Sequence, residues 1–239
     1  MVSLLANIGI IFLAFYFYLR SKLGILAYQE NRKISYFIKC VFAEVLLGMI
    51  LLSFSIVIMD IRFDFRFLLF CFSAKYLDWK ITNSSIVLLA ILRFFWGSID
   101  IAQTNLLASI MIAVTLPLLV HYTKDKMSDL SQLLILVTIS IIPTILITNH
   151  VIADKSLVLT IGLMLFACAY SATFIMYHFI TDLYSLIAFA NTDDLTTLKN
   201  GRTFNANLLE IERNMQSVTV AKIDVDYFKD YNDRYGHDS

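Results

Sequence analysis

The sequence predicts an all-α, multi-pass membrane bundle of about seven helices, followed by the start of a small α/β or α+β domain. Two observations support this prediction. Apolar residues make up 59% of the 239 residues and charged residues only 16%, whereas about a quarter of the residues of soluble domains are charged. The charges are also unevenly placed: residues 190–239 hold 6 basic and 9 acidic side chains, against 13 and 10 in residues 1–189.

Six apolar segments approach the roughly 20 residues that a membrane-spanning helix needs. They are residues 2–19, 36–59, 82–99, 104–121, 131–149 and 157–183. A seventh stretch, residues 64–79, is short and interrupted by charges. Taken alone, it is compatible with a span, a re-entrant piece or a surface helix.

The positions of Lys and Arg predict the orientation. Arg20 follows the first apolar segment instead of preceding it, which favours a retained anchor over a cleaved signal peptide. The loop from Arg20 to Lys39 has five basic residues, and Lys124 and Lys126 follow residue 121. With seven helices, the loops that hold several basic residues lie inside. We therefore predict a multi-pass protein of the cytoplasmic (inner) membrane, with its N-terminus outside and its C-terminal domain in the cytoplasm.

Two charged residues lie inside apolar segments, Glu44 in the second and Arg93 in "IVLLAILRFFWG". Charges within a bilayer are costly and usually face the interior of the bundle, paired or hydrated. The two side chains are therefore candidates for a ligand pocket or a conformational switch. The alternative is a structural ion pair between them, or a position of Arg93 close to a membrane interface.

Two stretches of this region, "FDFRFLLF" (63–70) and "ILRFFWGS" (91–98), resemble the multi-pass sensor domain of LytS-type histidine kinases and related cyclases. That family has an Asp-x-Arg before one helix and an Arg followed by Gly-Gly in the next. Gly97-Ser98 replaces the glycine pair here. The resemblance covers about 35 residues and implies a sensor, with a ligand that it does not identify.

The C-terminal region begins with a helical pattern and continues with a strand-like one. In "TFNANLLEIERNM" the apolar residues recur at roughly helical spacing. In "SVTVAKIDVD" the residues Val218, Val220 and Ile223 are β-branched, and the run has the length of a strand. We therefore predict a helix and then a strand that ends at Asp224 and Asp226.

An Asp-x-Asp at a strand end places one carboxylate on each side of the sheet, because side chains alternate along a strand. One carboxylate and the backbone carbonyl between them can then face the same site. Both are hard oxygen donors that suit Mg²⁺ beside nucleotide phosphates. Solvated acidic residues at the end of a strand are the alternative. The slightly acidic region gives no indication of a nucleic-acid polymer as partner.

Two stretches in this region are "TDDLTTLKNGRTF" (192–204) and "KIDVDYFKDYNDRYGHD" (222–238). They resemble the first part of the GGDEF domain of diguanylate cyclases. The family pattern is roughly D-x-L-T-G-L-x-N-R-R-x-F, followed by D-x-D-x-F-K-x-x-N-D-x-x-G-H. The first part is matched by Asp193, Leu195, Thr196, Leu198, Asn200, Arg202 and Phe204. The second part is matched by Asp224, Asp226, Phe228, Lys229, Asn232, Asp233, Gly236 and His237.

The resemblance implies a role for each matching site residue. Asp224 would ligate Mg²⁺, Val225 would offer its carbonyl, and the intact domain would hold two ions. Lys229 would be catalytic, neutralising charge that develops on the phosphates in the transition state. The substrate-binding residues would be Tyr227 and Phe228 near the triphosphate, Asn232 at the guanine edge, and His237. Residues 193–202 would form a structural turn.

Three departures from the family pattern stand out. Thr197 replaces a glycine, and Gly201 replaces the first arginine of N-R-R. The sequence also stops before the signature Gly-Gly-(Asp/Glu)-Glu-Phe hairpin, so we expect this chain alone to be inactive. On this basis the chain divides into a transmembrane sensor domain at 1–183, a signalling helix or linker at 184–191, and the N-terminal fragment of a GGDEF domain at 192–239.

The predicted function is that of a membrane-bound sensor whose intact form condenses two GTP into cyclic di-GMP as a homodimer. The first alternative is a non-catalytic membrane receptor with a degenerate or truncated output domain. The second is a transporter, or another membrane protein with a cytoplasmic tail. Residues 1–189 show no clear internal repeat of the kind found in many transporters.

Overall fold

The computed structural model describes residues 2–25, 33–59, 61–95, 98–193, 195–213, 217–224 and 226–236. Within these ranges the chain is mostly helical, with one small antiparallel sheet of two strands. The contacts divide it into two compact units, residues 1–190 and residues 191–239.

The first unit contains helices at all seven segments where the sequence predicts them. They are α1 (Val2–Ile25), α2 (Lys33–Ser53), α3 (Arg66–Tyr76), α4 (Trp79–Leu92), α5 (Ile99–Thr123), α6 (Asp129–Val151) and α7 (Lys155–Asn191). The strands β1 (Ile56–Ile58) and β2 (Ile61–Phe63) follow α2, and a 3-10 turn (Arg93–Phe95) follows α4. The last residue of α7 belongs to the second unit.

Four of these helices are long and apolar enough to cross a membrane. Among the described residues they are α2, α5, α6 and α7, while α1 contributes a shorter apolar stretch at Ser3–Tyr18. The 11-residue α3 and the 14-residue α4 reach only about 16 and 21 Å, since a helix rises 1.5 Å per residue. A membrane-embedded helical unit is therefore supported, and the crossing by seven helices stays a prediction.

The predicted span 36–59 is too long at its C-terminal end. Helix α2 stops at Ser53, and Ile56 begins an antiparallel hairpin in which it pairs with Phe63. The run Ile56–Ile58 is entirely β-branched, and the partner strand that begins at Ile61 supplies the apolar residues Ile61 and Phe63 on either side of Arg62. β-Branched side chains favour strands, and the hairpin satisfies backbone groups that a single strand would leave unpaired.

Helix α3 forms the centre of the first unit. Its eight consecutive residues from Phe67 to Ala74 are all buried, so it is not a surface helix. A helix that is apolar all round is expected to be enclosed by its neighbours. Cys71 on this helix is buried, whereas Cys40 and Cys168 are only half-buried.

Polar contacts tie the helices together at both ends of this unit. At one end the Asn7 amide donates to the carbonyl of Phe54 at 3.1 Å and accepts from the amide of Phe65 at 3.2 Å. At the other end Lys75 Nζ lies 2.7 Å from Asp129 Oδ1 and also donates to Gln132. The Asn7 contacts join α1 to the segments on both sides of the hairpin, and the Lys75 contacts join the end of α3 to α6.

Helices α2 and α4 approach each other closely at Gly48. A Cβ atom at this position would overlap the side chain of Leu89 on α4. Glycine is therefore required here by the close approach of the neighbouring helix.

The second unit contains α8 (Gly201–Arg213) and α9 (Phe228–Tyr235). None of its described side chains is buried. The helix predicted from residue 203 onward is confirmed as α8. The apolar face of this helix is left largely in contact with solvent, with Phe204 48% and Leu209 56% exposed.

Candidate functional site

The turn before α8 is built around the carboxylate of Asp193. Its Oδ1 atom accepts from the Thr196 amide at 3.0 Å, the Thr196 hydroxyl at 2.9 Å and the Leu195 amide at 3.2 Å. The amide and then the hydroxyl of Thr196 are the main causes that lower the pKa of Asp193 below its usual value. The expected structural turn is therefore present.

Thr197 occupies the place of the family's glycine with a backbone that suits glycine. Its φ is 56°, in the left-handed region. A β-branched residue is strained in this region. Thr197 therefore keeps the turn conformation that suits glycine, and the backbone strain is the energetic cost.

Asn200 caps the N-terminus of α8. Its Oδ1 atom accepts from the amide and from the hydroxyl of Thr203, both at 3.0 Å. An Asn at this position satisfies a backbone donor that the first helical turn leaves unpaired. Asp193 and Asn200 therefore stabilise this turn. The candidate catalytic and ligand-binding residues all follow α8.

The predicted strand before Asp224 is wrong. Residues 217–224 form neither helix nor strand, and Val218, Val220 and Ile223 are 51%, 59% and 91% exposed. A strand needs a neighbour to receive its backbone hydrogen bonds. The part of the second unit that the structure describes contains no partner strand, so the β-branched run remains unpaired.

Helix α9 begins directly after the acidic residues. Tyr227, at φ 56°, redirects the chain into Phe228, the first residue of α9, and Gly236 ends the helix at φ 86°. A glycine in the left-handed region is a common helix terminus. The side chains of Asp224, Asp226 and Lys229 are all exposed.

Three of the predicted site residues cannot be placed in detail. Val225 and His237 lie outside the described residues, and of Asn232 only the backbone in α9 is described. Their roles stay predictions from the resemblance. The structure therefore positions Asp224, Tyr227, Phe228 and Lys229 along a short loop and the first turn of α9.

The described residues contain no group of three or more His, Cys, Asp or Glu side chains that could hold a metal ion. The donor chemistry nevertheless fits Mg²⁺, since this ion is usually held by one or two carboxylates, water and substrate phosphates. Asp224 can supply one such carboxylate from an exposed position.

Glu44 and Arg93 do not form the ion pair that was one alternative. Glu44 Oε2 accepts from Ser73 Oγ at 2.9 Å, and Ser73 in turn lies 2.8 Å from Thr82 Oγ1. All three guanidinium nitrogens of Arg93 lack a hydrogen-bond partner within the described parts of the chain. Glu44 is therefore hydrogen-bonded to Ser73 of α3, which in turn contacts Thr82 of α4, and not to Arg93.

Glu44 lines a cavity between α1, α2 and α3. The cavity has a volume of about 510 Å³ and a mainly apolar lining that includes Phe15, Tyr18, Tyr36 and Cys40. Within the described residues, Glu44 Oε1 has no hydrogen-bond partner, although Glu44 is only 4% exposed. Ser73 and Thr82 were not predicted as residues of this site. Their hydroxyl groups within apolar helices are the signal that points to this network.

The C-terminal residues match a known family. Residues 190–239 match the model of the GGDEF domain, described as a diguanylate cyclase domain. This match confirms the resemblance found in the sequence, and it covers the C-terminal segment alone. Together with the helical first unit, it defines a membrane protein that carries GGDEF sequence at its C-terminal side.

Curated relatives match nearly the whole chain. An uncharacterized membrane protein of Staphylococcus aureus strain USA300 is 29% identical over 254 residues, which cover 98% of this chain and 66% of the relative. Uncharacterized membrane proteins of strains NCTC 8325 / PS 47 and COL match equally well. The chain thus spans about two thirds of the length of these relatives. No solved structure matches.

Proposed function

We propose that the protein is a membrane-bound sensor with diguanylate cyclase output. The observation that supports this best is the GGDEF match over residues 190–239, joined to a helical unit with four candidate spans. In the proposed reaction of the intact protein, the 3′-hydroxyl of each of two GTP molecules attacks the α-phosphate of the other. Two phosphodiester bonds form, two pyrophosphates leave, and the product is cyclic di-GMP.

Asp224 is the proposed metal ligand of this site, together with the carbonyl of Val225. Mg²⁺, when bound, neutralises charge on the nucleotide phosphates. Lys229 lies in the first turn of α9, where its ammonium adds positive charge next to the backbone amides of the helix start. Amides at a helix N-terminus have no partner within the helix and bind phosphate oxygens well.

Asn232 and His237 complete the proposed nucleotide site. An amide side chain can donate and accept at once, which suits the guanine edge. Since each domain would hold one GTP, two copies of the protein must meet for the reaction, and we propose a homodimer. Helix α7 continues without a break to Asn191, so it is the proposed connection between the membrane unit and the output domain.

The test is cyclic di-GMP synthesis by the complete reading frame that contains this chain, in membranes supplied with GTP and Mg²⁺. Asp224→Asn should abolish synthesis while membrane insertion persists. Asp230→Asn is the matched control, because Asp230 is equally exposed on α9 and lies outside the family pattern. Normal turnover by the Asp224→Asn protein would remove the metal assignment.

The alternative function is that of a non-catalytic membrane receptor. If the complete protein inserts and dimerises but makes no cyclic di-GMP from GTP, the receptor replaces the cyclase as the proposed function.

A further inference from the structure

The cavity between α1, α2 and α3, which we call the Glu44 cavity, contains a buried carboxyl group with one unpartnered oxygen. Glu44 lies near the middle of α2 and is buried. Its Oε2 atom accepts from Ser73, whereas Oε1 has no hydrogen-bond partner in the described part of the chain. A buried polar group without a partner is unfavourable, and more so when it is charged. A molecule that donates to Oε1 would therefore remove an existing cost.

The neighbouring hydroxyl groups have no proton left for Oε1. Ser73 donates to Oε2 of Glu44 at 2.9 Å. Thr82 contacts Ser73, and Ser85 lies beside Glu44, but both donate to backbone carbonyls one helical turn earlier, at 3.2 and 3.0 Å. A hydroxyl group has a single proton to donate. A donor for Oε1 must therefore come from outside these three side chains.

The basic side chains of the structure do not supply this donor. Glu44 forms no salt bridge with any side chain in the described ranges. Lys39 also lines the cavity, but it is exposed and precedes Glu44 by five residues, whereas neighbours on a helix surface are three or four residues apart. A lysine side chain keeps its ammonium in contact with water where its length allows. The carboxyl group thus lines the cavity without a counter-charge.

The rest of the cavity suits an apolar molecule. Its volume of about 510 Å³ lies within the range of roughly 300–1,000 Å³ that is typical of small-molecule sites. Phe15 and Tyr18 of α1 and Tyr36 of α2 contribute aromatic rings to the lining, and aromatic rings attract cations. Phe17 also lines the cavity and is exposed. The cavity therefore reaches the surface of the unit, where an apolar ligand can enter from the bilayer.

We propose that the Glu44 cavity binds an apolar organic amine. The ammonium group donates to Oε1 of Glu44, and the apolar body fills the space beside the aromatic side chains. A hydrogen bond between an ammonium and a carboxylate is roughly twice as strong as one between neutral groups. The carboxyl group therefore selects an amine over an alcohol of the same shape, whereas a lipid chain would fill the cavity without this selection.

The bound amine would bridge three helices, because α1, α2 and α3 all contribute to the lining. Its role as the stimulus of the sensor rests on the proposed function, whereas binding concerns the membrane unit alone. Since binding is measured as thermal stabilisation and needs no cyclase activity, failure of the amine site and failure of the cyclase assignment are distinguishable.

The experiment uses the full chain in phosphatidylcholine nanodiscs and follows the melting temperature Tm by circular dichroism. Tryptamine and phenethylamine are each compared with the alcohol that has the same ring system, tryptophol or phenethyl alcohol. Stabilisation depends on ligand concentration relative to Kd, so each titration gives an apparent Kd. For the wild type, at least one amine should raise Tm saturably and bind at least about tenfold more tightly than its alcohol.

Glu44→Gln is the variant that tests the carboxyl group. The amide keeps an acceptor oxygen and nearly the same shape but has no charge, so the alcohol should bind as it does to the wild type. The preference for the amine should fall to less than about twofold, because a charged hydrogen bond becomes a neutral one. Both probes partition into the bilayer, and this effect cancels when the preference is compared between the two proteins.

A pair of variants on α1 locates the site. Ala14 lines the cavity, so the ring of Ala14→Phe should fill it and abolish the response to amine and alcohol. Leu13→Phe is the matched control, because Leu13 is exposed and lies outside the cavity lining. It should leave both responses unchanged.

The melting temperature without a probe shows whether each variant folds. Glu44→Gln should melt no lower than the wild type, because it removes a buried group that can ionise and keeps an acceptor for Ser73. If this variant does not insert, the preference of the wild type for the amine and its loss in Ala14→Phe still test the proposal.

Three results would overturn the proposal. The first is a wild type that responds to neither amine. The second is an amine that binds no more tightly than its alcohol, since the cavity would then accept any apolar molecule, such as a lipid chain. The third is a preference that persists in Glu44→Gln or a response that persists in Ala14→Phe, since the amine would then bind elsewhere.

Discussion

The two units of this protein use their apolar side chains in opposite ways. In the first unit α3 is buried on all sides from Phe67 to Ala74. In the second unit none of the described side chains is buried, and Leu195 and Ile223 are 94% and 91% exposed. Apolar surface stabilises a structure only where contact removes it from solvent. The first unit is therefore maintained by tertiary packing, and the second by local hydrogen bonds such as those of Asp193 and Asn200.

The largest expected effect comes from removing a phenyl ring in each unit. Phe72 is 0% and Phe228 57% exposed. Phe72→Ala should lower the free energy of unfolding by about 3–5 kcal/mol, because it leaves a cavity in a packed core. Phe228→Ala should cost less than about 1 kcal/mol, as is usual at exposed positions.

Denaturant unfolding in mixed micelles, followed by circular dichroism, measures both values. Similar losses for the two variants would show that the second unit is packed as tightly as the first. Such a result would contradict the contrast between them.

Helix packing within the first unit gives the next largest effect. Gly48→Val should lower the free energy of unfolding by about 1–3 kcal/mol, since the new side chain overlaps Leu89 and forces α2 and α4 apart. Gly9→Val is the matched control, because nothing lies within 4 Å of a Cβ atom there. Both variants carry the same helix propensity change, so equal losses in the same unfolding measurement would argue against close packing at Gly48.

The smallest effect concerns the turn of the second unit. Thr197→Gly should stabilise the turn by about 1 kcal/mol, because glycine adopts a positive φ without the strain of a β-branched side chain. Hydrogen exchange of the amides of residues 196–198 in the full chain measures the change. Thr197→Ala removes the hydroxyl but keeps the Cβ atom, and it should give no such slowing. Equal slowing in both variants would assign the effect to the hydroxyl.

Much of the fold follows from local sequence pattern. Six helices of the first unit follow from apolar length, and α3 follows from the positions of the basic loops. Helix α8 follows from the helical spacing of its apolar residues. The central position of α3 was not predicted, because a short segment interrupted by Arg66 and Lys75 is compatible with a span, a re-entrant piece or a surface helix. These charges lie at the two ends of the helix and pair with Asp64 and Asp129, which frees the middle for burial.

The other incorrect predictions depend on which residues pair with one another in the folded chain. A local sequence pattern does not reveal such pairs. Residues 56–58 form a strand because residues 61–63 pair with them, whereas residues 217–224 have a similar β-branched character and form no strand. Likewise, the sequence suggested Glu44 as the partner of Arg93, but Ser73 occupies that position. The three-dimensional structure is needed to tell which β-branched run forms a strand and which residue contacts Glu44.

The central claim is that a membrane-embedded unit is joined to an output unit in the cytoplasm. Its most direct test is labelling of single cysteines with a membrane-impermeant maleimide in intact cells, after the three native cysteines have been replaced. Leu195→Cys, at a 94% exposed position, should react only after the cells are permeabilised, whereas Lys155→Cys should react in intact cells. Reaction of Leu195→Cys in intact cells would place the GGDEF segment outside, where GTP is scarce, and would contradict the account.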